Sequence, residues 1–155
     1  MHTIETHADF LMPAADVYAQ WTQFEKMPEF LDHVEAVEQL DDRTLRLLLS
    51  TRRASEPMLA EITEQIPDKR IAWNSVVGTH RSSGCATFHR LSDLTSRVML
   101  QVGLDAAVPA TTVAVVRTLI EQELDHFRRY LERRGEPSGR WNGAVPSPDE
   151  REFLA

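Results

Sequence analysis

The sequence is poor in cysteine and in clustered positive charge. Cys85 is the single cysteine among 155 residues, so no disulfide can form within the chain. The 24 acidic residues outnumber the 17 lysines and arginines, which gives a net charge of −7. This balance argues against binding to nucleic acid or to an anionic membrane surface, because both select clustered lysine and arginine.

Long apolar runs and targeting signals are also missing. No uninterrupted apolar stretch approaches the roughly 18 residues that a membrane span needs, since Gln101 and Asp105 interrupt the region 98–108. The opening residues, MHTIETHADF, lack the basic start and the apolar core of a secretory signal. We therefore expect a cytoplasmic protein without a transmembrane segment.

Short motifs of common catalytic and metal sites are absent as well. The sequence has no GxSxG, GxGxxG or GxxxxGKS/T segment, so hydrolase, dinucleotide-binding and P-loop functions have no support. With one cysteine and no HxxxH or HxH spacing, a zinc site has too few ligands close together in sequence. We expect neither a metal site nor a cofactor. The histidines considered are His2, His7, His33, His80, His89 and His126.

The feature that organises the chain is a long amphipathic segment near its C-terminus. Residues 113–134, VAVVRTLIEQELDHFRRYLERR, place apolar side chains at steps of three and four, which lie on one face of a helix. Pro109 and the N-cap candidates Thr111 or Thr112 mark its start, and Gly135 marks its end. The sequence therefore predicts one long helix with a single face to bury.

The residues before this helix predict one strand, two short helices and six further strands. Residues 3–11 alternate between apolar and polar side chains, as a half-buried strand does, and Pro13 then opens a helical region. From 33 to 104 the alternation continues in short segments separated by turns, one of them at Gly78. Connections this short predict an antiparallel meander.

Length and composition fit one domain. A chain of 155 residues that is 42% hydrophobic can build an adequate core. We expect a single domain over residues 1–135. The tail over residues 136–155 is rich in Gly, Pro and Ser and should be irregular, with Trp141 as a possible anchor.

Three segments carry a resemblance to a known family: VYAQWTQFEKMPEF at 17–30, AEITEQ at 60–65, and RIAW at 70–73 after Pro67 and Asp68. They look like the signature of a bacterial branch of the START-like, or SRPBCC, superfamily, the polyketide cyclase/dehydrase or coenzyme-Q-binding-like branch. The predicted element order also resembles its helix-grip fold. The resemblance implies an α+β fold in which a curved antiparallel sheet of about seven strands wraps around the long helix, with a cavity between them for an apolar or amphipathic small molecule.

The implied cavity gives a set of candidate ligand-binding residues. Trp21 and Trp73 are aromatic platforms on which a flat ligand could stack, although they fit plain core equally well. From the long helix we expect Val113, Val116, Arg117 and Ile120 to face the ligand, whereas the half from Phe127 to Leu131 packs as core. The set expected from the rest of the chain is Trp21, Met27, Phe30, Leu47, Leu49, Met58, Trp73, Ser75, Phe88 and Leu100.

Polar candidates for catalysis are few. Arg117 could hold a ligand carbonyl or carboxylate, but the favoured interpretation is that its stem packs while its head reaches water. His80 is the best general-base candidate because an imidazole titrates near neutrality, and the alternative is a solvated loop position. Cys85 is expected to be buried and inert. No position matches the catalytic groups of aromatase/cyclase members of the family.

Three functional hypotheses follow. The leading one is binding of a polyketide, quinone or lipid, which needs no acid/base pair. The alternative is a polyketide cyclase, aromatase or dehydratase, which would gain support if Arg117, His80 and Ser75 converged in the cavity. A second alternative is a protein-interaction factor for a respiratory or ribosomal partner, and the acidic charge disfavours the ribosomal version.

Overall fold

The computed structural model describes residues 1–50, 54–77, 80–141 and 143–146. The chain begins with strand β1, and two short helices separated by a 3-10 turn at Phe24–Lys26 follow. Six strands and one long helix complete the predicted order. The elements are β1 His2–Phe10, α1 Ala14–Trp21, α2 Met27–Phe30, β2 Val34–Gln39, β3 Thr44–Ser50, β4 Ser55–Ile66, β5 Arg70–Val77, β6 His80–Ser92, β7 Thr95–Leu104 and α3 Ala110–Arg134.

The strands form one curved, fully antiparallel sheet in the order β1-β7-β6-β5-β4-β3-β2. Strands β2 to β7 are a meander, as the short connections predict. Strand β1 joins the far edge beside β7, where Ile4 lies opposite Val102 and Phe10 opposite Ser96. The predicted turn at Gly78 lies outside the described residues.

Alternation of side chains sets which face of the sheet is buried. Along β1, Ile4 and Phe10 are buried while Glu5, His7 and Asp9 between them are exposed. Much of each other strand follows the same period of two, because successive residues point to opposite faces. Register shifts interrupt it on β2, β4 and β6, and Gly84, Cys85 and Ala86 on β6 are all buried. The inward residues are those that the pattern predicts. They include Leu45 and Leu47 on β3, Ala60 and Ile62 on β4, Ile71 and Ser75 on β5, Ala86 and Phe88 on β6, and Val98 and Leu100 on β7.

The helical region after β1 starts at the predicted proline. Pro13 is the N-cap residue of α1, where its fixed φ of −59° suits the approach to a helix. The helix presents Val17, Tyr18 and Trp21 to the core, all of them buried. It ends at Thr22, whose hydroxyl donates to the carbonyl of Ala19 at 2.6 Å. The end of α1 is thereby fixed, and Trp21 is held on its inner side.

Helix α3 is long but not uniformly buried. Its 25 residues span about 37 Å, and Leu124, Phe127 and Leu131 in its second half are its buried residues. The prediction that Thr111 or Thr112 caps the helix is wrong: Pro109 is the N-cap residue and no side-chain hydrogen bond caps the start.

The predicted end of α3 is confirmed. Gly135 follows the helix with φ of 82°, the left-handed conformation that glycine adopts without steric cost, and its N–H donates to Leu131 O at 2.9 Å. Among the described helices, none is both long and apolar enough to cross a membrane.

The residues after α3 run back over α1 and β4. The side chain of Gln20 binds Ser138 twice, through Nε2 to the hydroxyl at 2.9 Å and through Oε1 from the backbone N–H at 2.7 Å. Val145 exchanges two backbone hydrogen bonds with Gln65, at 2.7 and 3.0 Å, and is buried. Trp141 places its ring 6.1 Å from that of Phe24. These contacts tie the described part of the tail to the domain, and the domain boundary at residue 135 stays a prediction.

Candidate ligand cavity

An apolar cavity of about 180 Å³ lies between the helical region after β1 and strands β3, β4 and β5. Among the described residues that line it, none carries a charge and none has a hydroxyl or amide side chain. Such a wall favours apolar contact over hydrogen-bonded recognition. The lining residues are Trp21, Phe24, Met27, Leu31, Val34, Leu45, Leu47, Leu49, Met58, Ala60, Ile62, Ile71 and Trp73.

The two tryptophans of the cavity face each other. The ring centroids of Trp21 and Trp73 lie 6.2 Å apart with planes tilted by 33°. Trp73 lies over Gly84 on the neighbouring strand, where an added Cβ would overlap the indole ring. The absence of a side chain at Gly84 therefore leaves the room that the Trp73 ring needs. Because Trp73 lines the cavity, this glycine helps to set the shape of the cavity wall.

Behind Trp21 lies the packed part of the core. The ring of Phe127 on α3 contacts those of Phe10, Trp21 and Phe30 at centroid distances of 5.4, 5.5 and 5.1 Å. Phe127 is fully buried. Trp21 is thus held between a rigid aromatic cluster on one side and the cavity on the other, which limits its freedom to reorient.

The structure places six of the predicted ligand residues on the cavity wall: Trp21, Met27, Leu47, Leu49, Met58 and Trp73. Others belong to the surrounding core. Phe30 packs on Phe127 and Tyr130, and Phe88 packs on Tyr18 and Trp21. Leu100 is also buried and does not line the cavity.

Seven described lining residues were not among the predicted ones: Phe24, Leu31, Val34, Leu45, Ala60, Ile62 and Ile71. The strand alternation that places Leu47 and Met58 inward also places Leu45, Ala60 and Ile62 inward. That signal was sufficient to find them. Leu31 and Val34 flank the connection between α2 and β2, where no periodic pattern marks an inner face.

The α3 residues that were expected to face a ligand do not line this cavity, and a role for them in binding stays a prediction. Val113, Val116 and Ile120 are half-buried and Arg117 is exposed, and none of the four lines it. Helix α3 packs mainly over β1, with fewer contacts to α2, so it lies away from the wall that β3 to β5 form.

The first half of α3 instead borders an open groove of about 780 Å³. Its helical residues occupy a face adjacent to the predicted one: Ala114, Val115, Thr118, Leu119 and Gln122. On the opposite side lie His33 and Ser50, which join through the Ser50 N–H and the His33 carbonyl at 2.9 Å. The groove therefore begins one residue beyond Val34 and Leu49 of the cavity wall.

The polar candidates for catalysis do not converge. His80 and Arg117 are exposed, and neither lines the cavity. Ser75 is buried, but its hydroxyl bonds to that of Ser82 on the paired strand. Both serines border a separate cleft of about 510 Å³ at the strand ends, together with Arg81.

Burial alters two titratable groups of the core. It raises the pKa of Tyr18 above its usual value of 10.0, against the opposing effect of a hydrogen bond that Gln65 Nε2 donates to the phenol oxygen at 2.9 Å. Burial likewise raises the pKa of the Cys85 thiol, which keeps it protonated at neutral pH. Neither residue lines the cavity, and Cys85 lies on β6 away from it.

Potential metal ligands meet outside the cavity. Within the described part of the chain, Asp32, Glu123 and His126 bring one ligand atom each to within 4.8 Å of one another. Asp32 follows α2, and the other two lie on α3.

Comparison with known proteins gives a match to one family model and to many solved structures that share this fold. The family model for polyketide cyclase/dehydrase and lipid transport proteins matches residues 12–131. A protein of Streptomyces lincolnensis, described as an uncharacterized 17.2 kDa protein, is 38% identical over 151 residues, which are 94% of this chain and 99% of that protein.

Two solved structures illustrate the fold. The Zhui aromatase/cyclase of Streptomyces sp. R1128 matches with a TM-score of 0.76 at 15% identity, over 90% of this chain and 99% of that one. A START superfamily protein from Mycobacterium smegmatis matches with a TM-score of 0.71 at 14% identity, over 86% and 97% of the two chains. At these identities the likeness is one of fold alone.

Proposed function

Because the chain belongs to the polyketide cyclase/dehydrase and lipid transport family, as the sequence resemblance implied, we propose that it binds a small apolar or amphipathic molecule in the cavity between α1, α2 and β3 to β5. Polyketides, quinones and lipids are the candidate classes. The observation that carries the proposal is the wall itself, in which every described lining side chain is apolar and two tryptophans face each other.

The size of the cavity limits what can enter it fully. A volume of about 180 Å³ is close to the ~150 Å³ of an engineered apolar cavity that holds benzene, and below the ~300 Å³ at which pockets for drug-sized ligands begin. We propose that the enclosed part of the ligand is one or two rings, or a short alkyl segment. The facing indoles favour the flat alternative.

The burial of the wall residues indicates where the rest of a longer ligand would leave. Leu45, Ala60 and Ile62 at the inner end are buried, whereas Leu49 and Met58 toward the other end are half-buried. Leu49 and Met58 lie near the end of β3 and the start of β4, beside the groove along α3. We place the polar or extended part of an amphipathic ligand in that groove.

Binding is favoured here over catalysis. A cyclisation needs a positioned acid or base within hydrogen-bond reach of the reacting atoms. The described wall residues supply none, and the polar candidates Ser75, His80 and Arg117 lie elsewhere. The similar fold of an aromatase/cyclase does not supply the missing groups, because the likeness is confined to the fold.

Fluorescence of Trp21 and Trp73 tests the proposal. Trp141, the third tryptophan, is replaced by phenylalanine so that the signal comes from the cavity. Titration with naphthoquinone should quench this emission saturably, and titration with decanoate should show whether an alkyl chain competes. Absence of saturable quenching by naphthoquinone, with decanoate also failing to compete with a hydrophobic dye, would contradict the proposal.

Two matched variants on β4 locate the binding. Ala60→Phe adds a ring inside the cavity, whereas Leu59→Phe places the same ring on the outer face, where Leu59 is half exposed. Displacing a ligand ring removes roughly 1.5–3 kcal/mol of apolar burial, which is at least about tenfold in affinity. We expect this loss for Ala60→Phe alone. Equal affinities in the two variants, with unchanged thermal melts, would place binding outside the cavity.

A further inference from the structure

We propose that Asp32, Glu123 and His126 bind one divalent transition-metal ion, with Zn²⁺ as the best match, at the junction between α3 and the connection from α2 to β2. This site is separate from the apolar cavity and does not depend on the proposed ligand. It also reverses the expectation drawn from histidine spacing, because Asp32 and His126 are far apart in sequence and meet only in the fold.

The distances fit a small coordination sphere. His126 Nδ1 lies 2.9 Å from Asp32 Oδ1, and the three ligand atoms all lie within 4.8 Å of one another. Zinc bonds of about 2.0–2.2 Å in tetrahedral geometry separate neighbouring ligand atoms by roughly 3.3–3.6 Å. A movement of about 1 Å by the exposed Asp32 carboxylate, with a smaller adjustment of Glu123, is enough to complete the sphere. Imidazole nitrogen and carboxylate oxygen are both zinc ligands, and three protein ligands leave one tetrahedral position for water.

The fold holds two of the ligands in place. Glu123 and His126 are three residues apart on α3, so they share one side of the helix. The Glu123 carboxylate accepts the backbone N–H of Asp32 at 2.9 Å, and His33 Nδ1 lies 3.1 Å from the same oxygen. Glu123 is therefore oriented by groups behind it, in the manner of outer-sphere partners of a metal ligand.

The state of His126 points to a ligand. Its Nδ1 is a buried atom that, among the described residues, has no hydrogen-bond partner of acceptable geometry, although Asp32 lies close. The His126 side chain is 30% exposed and its Nδ1 faces the Asp32 carboxylate, so an ion between the two would take a nitrogen that no hydrogen bond of good geometry occupies. The Asp32 side chain is 64% exposed, so an ion can reach the site from solvent.

Metal binding would act on the groove. His33, which contacts Glu123, also lines the groove beside α3, and the ion would join the α2–β2 connection to the middle of that helix. The competing interpretation is a pair of imidazole–carboxylate contacts with no metal. Only the metal site predicts that the protein takes up one equivalent of Zn²⁺ and that this uptake depends on the three ligand residues.

The test uses the tag-free protein, stripped with EDTA and titrated with Zn²⁺ by calorimetry and with Co²⁺ by visible absorption. We expect one equivalent of Zn²⁺ and a visible Co²⁺ spectrum of low coordination number. His126→Gln, Glu123→Gln and Asp32→Asn should each weaken binding by at least about 100-fold, and His33→Gln by about tenfold, the range of an outer partner. His80→Gln, an exposed histidine outside the cluster, is the control and should bind as the parent does.

A readout on the unaltered chain keeps the test decisive if the variants unfold. In the imidazole ¹⁵N spectrum, Zn²⁺ should shift the Nδ1 resonance of His126 and leave that of His80 in place. The proposal is overturned if the parent protein takes up no Zn²⁺, if His126→Gln binds as tightly as His80→Gln does, or if the His126 resonance does not respond.

Discussion

Replacing Phe127 by alanine should separate the packed half of α3 from its loosely packed half. Phe127 is fully buried and contacts three aromatic rings, those of Phe10, Trp21 and Phe30. Loss of a buried phenylalanine costs about 3–5 kcal/mol, and the rings leave little room for the site to collapse. That is a large part of the ~5–15 kcal/mol that stabilises a typical domain.

The assay is thermal unfolding of matched variants. At this chain length about 1 kcal/mol corresponds to roughly 2–4 °C, so Phe127→Ala should lower Tm by about 6–20 °C. Val116→Ala removes two methyl groups from a half-buried position and should cost about 1 kcal/mol or less, and Arg117→Ala should cost less still because the side chain is exposed. Equal losses for Phe127→Ala and Val116→Ala would refute the division of the helix into two halves.

Three further predictions concern single groups of the core. Gly84→Ala should displace the indole of Trp73, cost about 1–3 kcal/mol by overpacking and shift the tryptophan emission maximum, whereas an unchanged spectrum and melt would argue against the close contact. Tyr18→Phe should cost about 1–3 kcal/mol in urea unfolding because it leaves the buried Gln65 amide without its acceptor, and no loss would mean that the amide finds another partner. The raised pKa of Cys85 predicts slow reaction with an aromatic disulfide reagent at pH 7 that accelerates as pH rises, so rapid reaction at pH 7 would show an accessible thiolate.

Much of the fold could be predicted because its signals are local. Alternation along β1 and the steps of three and four along α3 depend on a few neighbouring residues, and both elements are where those patterns put them. The end of α3 at Gly135 is equally local, since a left-handed residue there closes the helix. The start of α3 was harder to predict. Two threonines inside its first turn resemble N-cap residues, but Pro109 is the N-cap residue.

The site was only partly predictable because its position depends on how distant elements cross. Trp21 and Trp73 reach the same cavity because α1 packs over β6 and β7 while β5 pairs with β6, and Gly84 on β6 leaves the space that the Trp73 ring needs. Nothing in the spacing of Val116 or Arg117 reveals that α3 passes over β1 instead of over β3 to β5. The meeting of Asp32 with His126 is likewise a tertiary event.

Methionine methyl groups provide the most direct measurement of ligand binding in the cavity. Met27 and Met58 line its wall, whereas Met12 is buried elsewhere and Met99 is partly exposed on the outer face of β7. With ¹³C-methyl-labelled methionine, saturating naphthoquinone should shift the resonances of Met27 and Met58 and leave those of Met12 and Met99 in place. Shifts confined to Met12 or Met99, or no shift at saturation, would contradict binding in the cavity between α1, α2 and β3 to β5.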